Sequence, residues 1–538
     1  MKYIELFAGC GGLSVGLESL GYEMVLANEL SPMASETFAY NLLNENLRQL
    51  AEKKESSNKV KWISSLHDTN QLMERLRENP QNYPNFTVEN CELGSNLEDI
   101  YGKLIVGSII ELNNYFVENK NVVNELQNKN IDLVSGGPPC QSFSLAGLRQ
   151  HDNNRNTLPM DFAQLVGLVR PKIALLENVS GILRPFTLPN GKYYAWFEVA
   201  KAFVSKGYYP LCLHVNAKFA GAAQNRPRYV MFALREDIFK RFIKSVKEEV
   251  LLSKLKKIES FYAYECSGNK TVPFEHLDYY DIEKNADFFE IDIFSPLYQF
   301  KDSNSWFSVK DAIDDLRHGN LKTTSSVYAN YLDKTFQNIF KKIVPHNSSE
   351  NNALRLNSSK VRMRFKLYQH LSKADVTENS KGIQRDVVNF LKDPSNYLLN
   401  EASLKYLIQK KFLLADGETL VEFKDKKKLI NYLSLLATKK QTQRALIADK
   451  PAPAALSIPD DACHYDSSLQ RTLTVREMAR FQSFPDKFEF RSKVTTGGKM
   501  RRFEVPQYTQ VGNAVPPLLG RALGLVVANI LQLTDQKS

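Results

Sequence analysis

Three stretches of this chain place chemically capable side chains at the ends of short apolar runs. Cys140 closes Gly136-Gly137-Pro138-Pro139-Cys140, directly after the β-branched run Ile131 to Val134. Such a run suits a buried strand, and the turn carries the thiol to the strand's exposed end, where open α/β sheets bind ligands. Two prolines fix the backbone just before the sulfur. A thiol held in that way suits nucleophilic catalysis; a small buried turn residue is the alternative. Glu177 and Asn178 end a second buried run, Ile173 to Leu176, where the carboxylate serves either proton transfer or an ordinary salt bridge. Arg226 and Arg228 alternate within Gln224-Asn225-Arg226-Pro227-Arg228, converging on a site or lining a solvated strand face.

The chain opens with a related arrangement. Tyr3 to Phe7 reads as a strand and Ala8-Gly9-Cys10-Gly11-Gly12 as a tight glycine turn. Leu13, Leu17 and Leu20 then share a helical face that Gly21 ends, and Met24 to Ala27 form a second strand running into Asn28-Glu29. Glu29 lies twenty residues after Gly9, the interval at which doubly wound folds grip a ribose hydroxyl. The pattern G-x-G-G is not the dinucleotide fingerprint, so the ligand need not be a phosphate. A helix N-terminus also holds a carboxylate, and S-adenosylmethionine carries one together with a ribose diol.

The elements that must position these residues follow from the rest of the chain. With 538 residues, two or more domains are expected. The charged fraction of 24% against 43% hydrophobic is a soluble globular balance. The 70 Lys+Arg against 60 Asp+Glu give +10, a modest excess that favours a polyanionic partner and also fits a basic enzyme. The six cysteines form no C-x-x-C pair and the eight histidines no ligand cluster, so neither a disulfide scaffold nor a metal site is expected. The N-terminus enters a strand without a basic leader, and no apolar run approaches a membrane span. A cytoplasmic protein that does not enter a membrane is the expectation.

Strand patterns recur at Leu104 to Val106, Tyr208 to Asn216 and Tyr229 to Leu234, and predict a parallel-rich, doubly wound α/β sheet over residues 1–240. Within it, residues 45–100 are polar and read as a surface insertion, and Ser144 to Arg155 as a lid beside Cys140. Residues 241–495 change texture and predict a second, α+β domain; residues 496–538 are expected to return to the first. Thr474 to Phe481 reads as a capped helix and Leu518 to Leu531 as an apolar one. Lys360, Arg362, Arg364 and Lys366 alternate with Val361, Met363 and Phe365, either a basic strand face or a helix; the run Lys424 to Lys428 is a weaker basic feature.

In order along the chain, Phe7-Ala8-Gly9-Cys10-Gly11-Gly12, Pro139-Cys140-Gln141, Glu177-Asn178-Val179, Gln224-x-Arg226-x-Arg228, Arg471-Thr472-Leu473-Thr474-Val475-Arg476-Glu477 to Phe484-Pro485-Asp486, and Gln510-Val511-Gly512-Asn513-Ala514-Val515-Pro516-Pro517 resemble the motifs of the DNA (cytosine-5)-methyltransferases. The resemblance covers both ends of the chain and leaves about 230 central residues unmatched. It departs at Gly107-Ser108-Ile109, where the family has an acid that meets the adenine amino group; a serine hydroxyl accepts that bond without charge assistance.

The resemblance implies the S-adenosylmethionine-dependent methyltransferase fold with a target-recognition domain between 241 and 495. It implies Cys140 as the thiolate that adds to cytosine C6, Glu177 as the acid on N3 and the exocyclic amine (a role that calls for a raised carboxyl pKa), Arg228 on O2, and Arg226 as a brace for the site or loop, with both arginines favouring the thiolate. Cofactor contacts are implied for Phe7, Gly9, Cys10, Gly12, Glu29 and Leu30, for Ser108, Ile109, Pro139 and Leu158, and for Asn513 and Ala514. The target base must leave its stack, so DNA contacts are implied for Gln141, Ser142 and Arg155. Double-stranded DNA is the implied partner, with a cognate restriction endonuclease acting on the same site; a nucleoid-associated monomer is expected. Two alternatives are open to the sequence: an RNA (tRNA) cytosine-5 methyltransferase, and a catalytically silent DNA-binding homologue.

Overall fold

The computed structural model describes residues 1–53, 55–63, 91–139, 158–188, 191–268, 274–317, 326–340, 350–374, 382–440, 443–454, 462–498 and 504–535. Nine strands form one sheet: β1 (Lys2–Leu6), β2 (Glu23–Glu29), β3 (Val60–Trp62), β4 (Lys103–Val106), β5 (Leu133–Gly136), β6 (Ile173–Val179), β7 (Tyr208–Asn216), β8 (Pro227–Arg235) and β9 (Tyr279–Asp281). Their order is β9-β7-β8-β6-β5-β1-β2-β4-β3. All pairings are parallel except those of β8, which runs antiparallel to β6 and β7. From β1 the chain winds first outward through β2 and then back to β5 on β1's other side, so strand order reverses between β1 and β5. Ligands bind at the carboxyl ends of strands at such a reversal. Here those ends are the glycine turn after Leu6 and the Gly137-Pro138-Pro139 turn, brought side by side because Leu6 is paired with Gly136.

The strands sit where buried apolar runs predict them, because a parallel sheet covered on both faces needs continuous Val, Ile and Leu. Two edge strands were not legible. Val60–Trp62 pairs with β4 and is buried, although it falls in the stretch read as a surface insertion. Tyr279–Asp281 pairs with β7 from beyond residue 240, and Phe288, Phe289 and Phe294 join the same core as the sheet.

Eight helices matter for the site: α1 (Gly12–Glu18), α2 (Pro32–Phe38), α3 (Ile109–Glu118), α4 (Leu158–Val169), α5 (Ser359–Ala374), α6 (Val475–Phe481), α7 (Gln507–Asn513) and α8 (Pro517–Asp535). The stretch Gln507–Asp535 is long and apolar enough by composition to cross a bilayer, which corrects the expectation that no run approaches that length. Its apolar side is used elsewhere: Leu519, Leu523, Val526 and Val527 are buried in the sheet's core. A methyl group on Gly16 of α1 would lie 2.4 Å from the Arg521 backbone nitrogen, so the two helices touch backbone to backbone.

A separate apolar cluster gathers Met363, Phe365, Leu371, Val387, Phe390, Leu407, Phe412 and Leu433. Its α5 resolves the ambiguity of Lys360 to Lys366 as a helix. Arg362 donates to the Gly417 carbonyl at 2.8 Å, and Lys366, largely buried, donates to the Ser467 carbonyl at 3.0 Å. Those two cations hold protein backbone, so the row is not the basic strand face that alternation suggested. In the weaker basic run, Lys426–Leu435 is a helix capped by Asp425, whose carboxylate accepts from Lys428 N.

Candidate active site

At the carboxyl end of β1 the backbone turns through positive φ at Phe7, Gly9 and Gly11. The Glu29 carboxylate at the end of β2 accepts from Gly9 N at 2.8 Å and from Ser31 N at 2.7 Å, tying the glycine turn to the cap of α2. Asn28 donates to Ile105 O and Gly107 O, which brings the end of β4 alongside. Phe7, Gly9, Glu29, Leu30, Ser108 and Ile109 are therefore gathered along adjacent strand ends. Ser108 caps α3, its hydroxyl accepting from Ile110 N at 3.2 Å, while Ile109 is buried and Leu30 is exposed. Beneath the turn, burial raises the Glu5 carboxyl to about 8 against the opposing hydrogen bond from Ser14, and Tyr3 donates to Ser14 in turn.

Cys10 points away from this crevice. Its thiol packs against the Gln510 carbonyl, and burial pushes its pKa up, so only its backbone can serve the turn. Gly12 closes directly on the last motif: a Cβ there would lie 2.2 Å from Val515 O. Asn513 is exposed and Ala514 buried just before that contact. Gln510 fastens the segment to α2, accepting from the Thr37 hydroxyl at 2.6 Å and donating to Met33 O. Gly12→Ala is expected to lower stability by roughly 1–3 kcal/mol, because backbone rather than a side-chain tip must yield. Thermal melting checks this, and an unchanged melting temperature would contradict the contact.

Two strands along, Glu177 and Arg228 form an ion pair, Arg228 Nε to Glu177 Oε1 at 2.8 Å. Antiparallel register sets Val179 opposite Arg228 and Glu177 opposite Val230, so both side chains leave one face of the sheet. Burial lowers the Arg228 pKa and Glu177 partly restores it. Arg226 is turned elsewhere. It is 1% exposed, and its Nη2 donates to Gly512 O at 2.9 Å and Ala514 O at 3.0 Å. It braces the closing motif, while Arg228 faces the carboxylate.

Glu177 also lies against the turn that leads to Cys140. A Cβ on Gly137 would be 3.0 Å from Glu177 Oε2, and Asn178 Nδ2 donates to Pro138 O at 3.0 Å. Pro138 is buried and Pro139 exposed, and Leu158 begins α4 half-buried against the sheet's core. Cys140, Gln141, Ser142 and Arg155, with the expected lid, lie outside the described residues. With strands about 5 Å apart, the glycine turn and the Glu177–Arg228 pair stand roughly 10 Å apart across β5.

Several contacts that support the site were not read from the sequence. Asn216 accepts from Arg226 N at 2.9 Å and donates to Asn225, fixing the arginine segment. Arg471 forms a two-pronged pair with Glu477, and Arg480 bridges Asp315 and Asp486. The Thr474 and Glu477 capping box that starts α6 was legible; Asp315, distant in sequence, was not.

Residues 1–69 and 95–528 match the family described as C-5 cytosine-specific DNA methylase. The chain is 25% identical over 524 residues to the type II methyltransferase M.DdeI of Desulfomicrobium norvegicum, covering 97% of this chain and 87% of the relative. It is 23% identical to the type II methyltransferase M1.HphI of Haemophilus parahaemolyticus, covering 98% and 86%. The Dnmt2 methyltransferase of S. pombe superimposes loosely, at a TM-score of 0.38 and 12% identity over 99% of this chain and 98% of that one. The fold therefore rests on the sheet and on the family match. The chain belongs to the C-5 cytosine-specific DNA methylases.

Proposed function

We propose that the protein transfers a methyl group from S-adenosylmethionine to C5 of a flipped-out cytosine in a specific double-stranded DNA sequence, through a covalent bond from Cys140 to C6. The observation that carries this reading is the Glu177–Arg228 pair set against the turn to Cys140, two strands from the glycine turn.

The residues at the turn fit the donor. Glu29 is held with both carboxylate oxygens oriented by backbone N–H groups, and the space beside Gly9 is open to 4 Å. Phe7, Gly12, Leu30, Ser108, Ile109, Pro139, Leu158, Asn513 and Ala514 would complete the pocket, with Cys10 contributing backbone alone. When bound, S-adenosylmethionine supplies an electrophilic methyl. Glu29→Ala should weaken donor binding more than DNA binding; titrations showing the reverse order would move the ribose contact elsewhere.

At the other end, Cys140 would attack C6, Glu177 would hold N3 and the exocyclic amine, and Arg228 would hold O2. A base would have to part the Glu177–Arg228 ion pair in part, exchanging one buried hydrogen bond for others. A base inside a duplex cannot reach between strand ends, so the cytosine must leave the stack. Gln141, Ser142 and Arg155 are the proposed contacts to the opened duplex and its phosphates. The division into 1–240, 241–495 and 496–538 remains our reading, and the separate cluster around Met363 to Leu433 supports a recognition module within the second segment. We further infer a cytoplasmic, nucleoid-associated monomer that modifies the site cut by a cognate restriction endonuclease.

Labelled S-adenosylmethionine offered with DNA or with tRNA tests the reading. Label in DNA is expected; label in tRNA alone would favour an RNA methyltransferase, and label in neither a silent DNA-binding homologue.

A further inference from the structure

Ser180, His214 and Asp281 form a hydrogen-bonded row from three separate parts of the chain. His214 Nδ1 lies 2.7 Å from Asp281 Oδ2, and His214 Nε2 lies 2.9 Å from Ser180 Oγ. All three are partly shielded, with 21% of the His214 side chain and 16% of that of Asp281 exposed. Tyr229 stands opposite both Asn178 and His214, so the row lies on the sheet face away from Glu177.

A carboxylate accepts only, so the proton between Asp281 and His214 sits on Nδ1. A neutral ring then presents a lone pair at Nε2, and the Ser180 hydroxyl must donate to it. Asp281 is itself fixed, its Oδ1 accepting from Glu283 N and its own N–H donating to Asn285 Oδ1, both at 2.9 Å. Ile282 N donates to His214 O at 2.9 Å, which locks β9 to β7 beside the ring.

Ser180 immediately follows Glu177-Asn178-Val179. Val179 caps the turn that Ser180 begins, and its N–H donates to Asn178 Oδ1 at 2.8 Å while the Asn178 amide holds Pro138 O. We propose that Asp281, acting through His214, sets the direction of the Ser180 hydroxyl and so fixes the strand end from which Glu177 reaches the base and Asn178 holds the turn to Cys140. The three are positioning residues for methyl transfer, and their role rests on the function proposed above. The same order of groups serves nucleophilic serine hydrolases. Ser180, however, has no positive-φ strain of the kind that exposes such a nucleophile.

The test compares Ser180→Ala, Ser180→Thr, Asp281→Asn and the Ser180→Ala/Asp281→Asn double variant in the full chain. Ser180→Ala and Asp281→Asn should each lower kcat roughly tenfold to hundredfold, with KM for DNA and donor within about twofold of wild type. Ser180→Thr should restore kcat, and the double variant should be no slower than the slower single variant, because both break one row. Nitrogen NMR of His214 should show the Nδ1–H tautomer, lost in Asp281→Asn. Variants at wild-type kcat, or losses that add and track a falling melting temperature, would overturn the relay. Labelling of Ser180 by a fluorophosphonate would overturn it in favour of a nucleophile. Wild-type protein that leaves DNA unmethylated would instead sink the function on which the relay rests, a result distinct from active wild type with unaffected variants.

Discussion

Cys140→Ala is expected to abolish methyl transfer to DNA, by roughly 10³-fold or more, while DNA binding stays measurable. Cytosine C5 is a poor nucleophile, and only addition of a thiolate at C6 turns the ring into an enamine able to take a methyl group. Among the described residues, no side chain is placed to take over that step. Cys10 is buried against Gln510 and its thiol is pushed up, Cys212 is buried in β7 with its thiol also pushed up, and Glu177 is committed to Arg228. Cys140→Ser should be nearly as inactive, because a hydroxyl ionises far less readily than a thiol with a free pKa near ~8.5. Initial rates with labelled donor, together with gel retardation of DNA, check both halves. A Cys140→Ala protein at wild-type turnover would remove the nucleophile from the account.

The largest expected effect on stability lies in the segment that joins the closing motif to the rest. Arg480 has no solvent exposure, and its guanidinium donates to Asp315, Asp486 and Ala312 O. Burial alone would weaken its charge; the two carboxylates more than offset this and hold its pKa above the ordinary value. Arg480→Ala leaves two carboxylates in the interior without their cation and should cost about 3–5 kcal/mol. Arg480→Lys should recover little, since a three-donor ammonium cannot match a planar fork shared by two acids. Urea or thermal denaturation of both variants tests this, and an Arg480→Ala protein within 1 kcal/mol of wild type, on the scale of an exposed pair, would show the cluster to be weakly coupled.

Much of this architecture is legible in the residues because its central strands are buried on both faces. Ile173 to Leu176 and Leu133 to Val134 announce themselves as apolar runs, and polar residues at their ends mark the crevice. The glycine turn and Glu29 meet as their spacing suggests, and Glu177 pairs with Arg228, two residues whose shared site came from the resemblance and not from spacing. Three-residue edge strands such as Val60–Trp62 and Tyr279–Asp281 carry too little pattern to distinguish from loop. Alternating charge in Lys360 to Lys366 fitted a strand and a helix alike; the backbone is helical, with Phe365, Tyr368 and Leu371 buried at three-residue spacing. Contacts across long sequence distances leave no spacing to read. Arg226 holds carbonyls 286 and 288 residues away, so two arginines that look equivalent in sequence face different tasks. The Asp281–His214–Ser180 row is hidden for the same reason.

The central claim, a transient sulfur–carbon bond to cytosine, is tested most directly by DNA in which the target carries 5-fluorocytosine. Fluorine at C5 blocks the final elimination, so protein incubated with this DNA and S-adenosylmethionine should form a complex that survives denaturation and maps by mass spectrometry to Cys140. Protein that methylates ordinary DNA yet forms no such complex, or whose complex maps to another residue, would contradict the account.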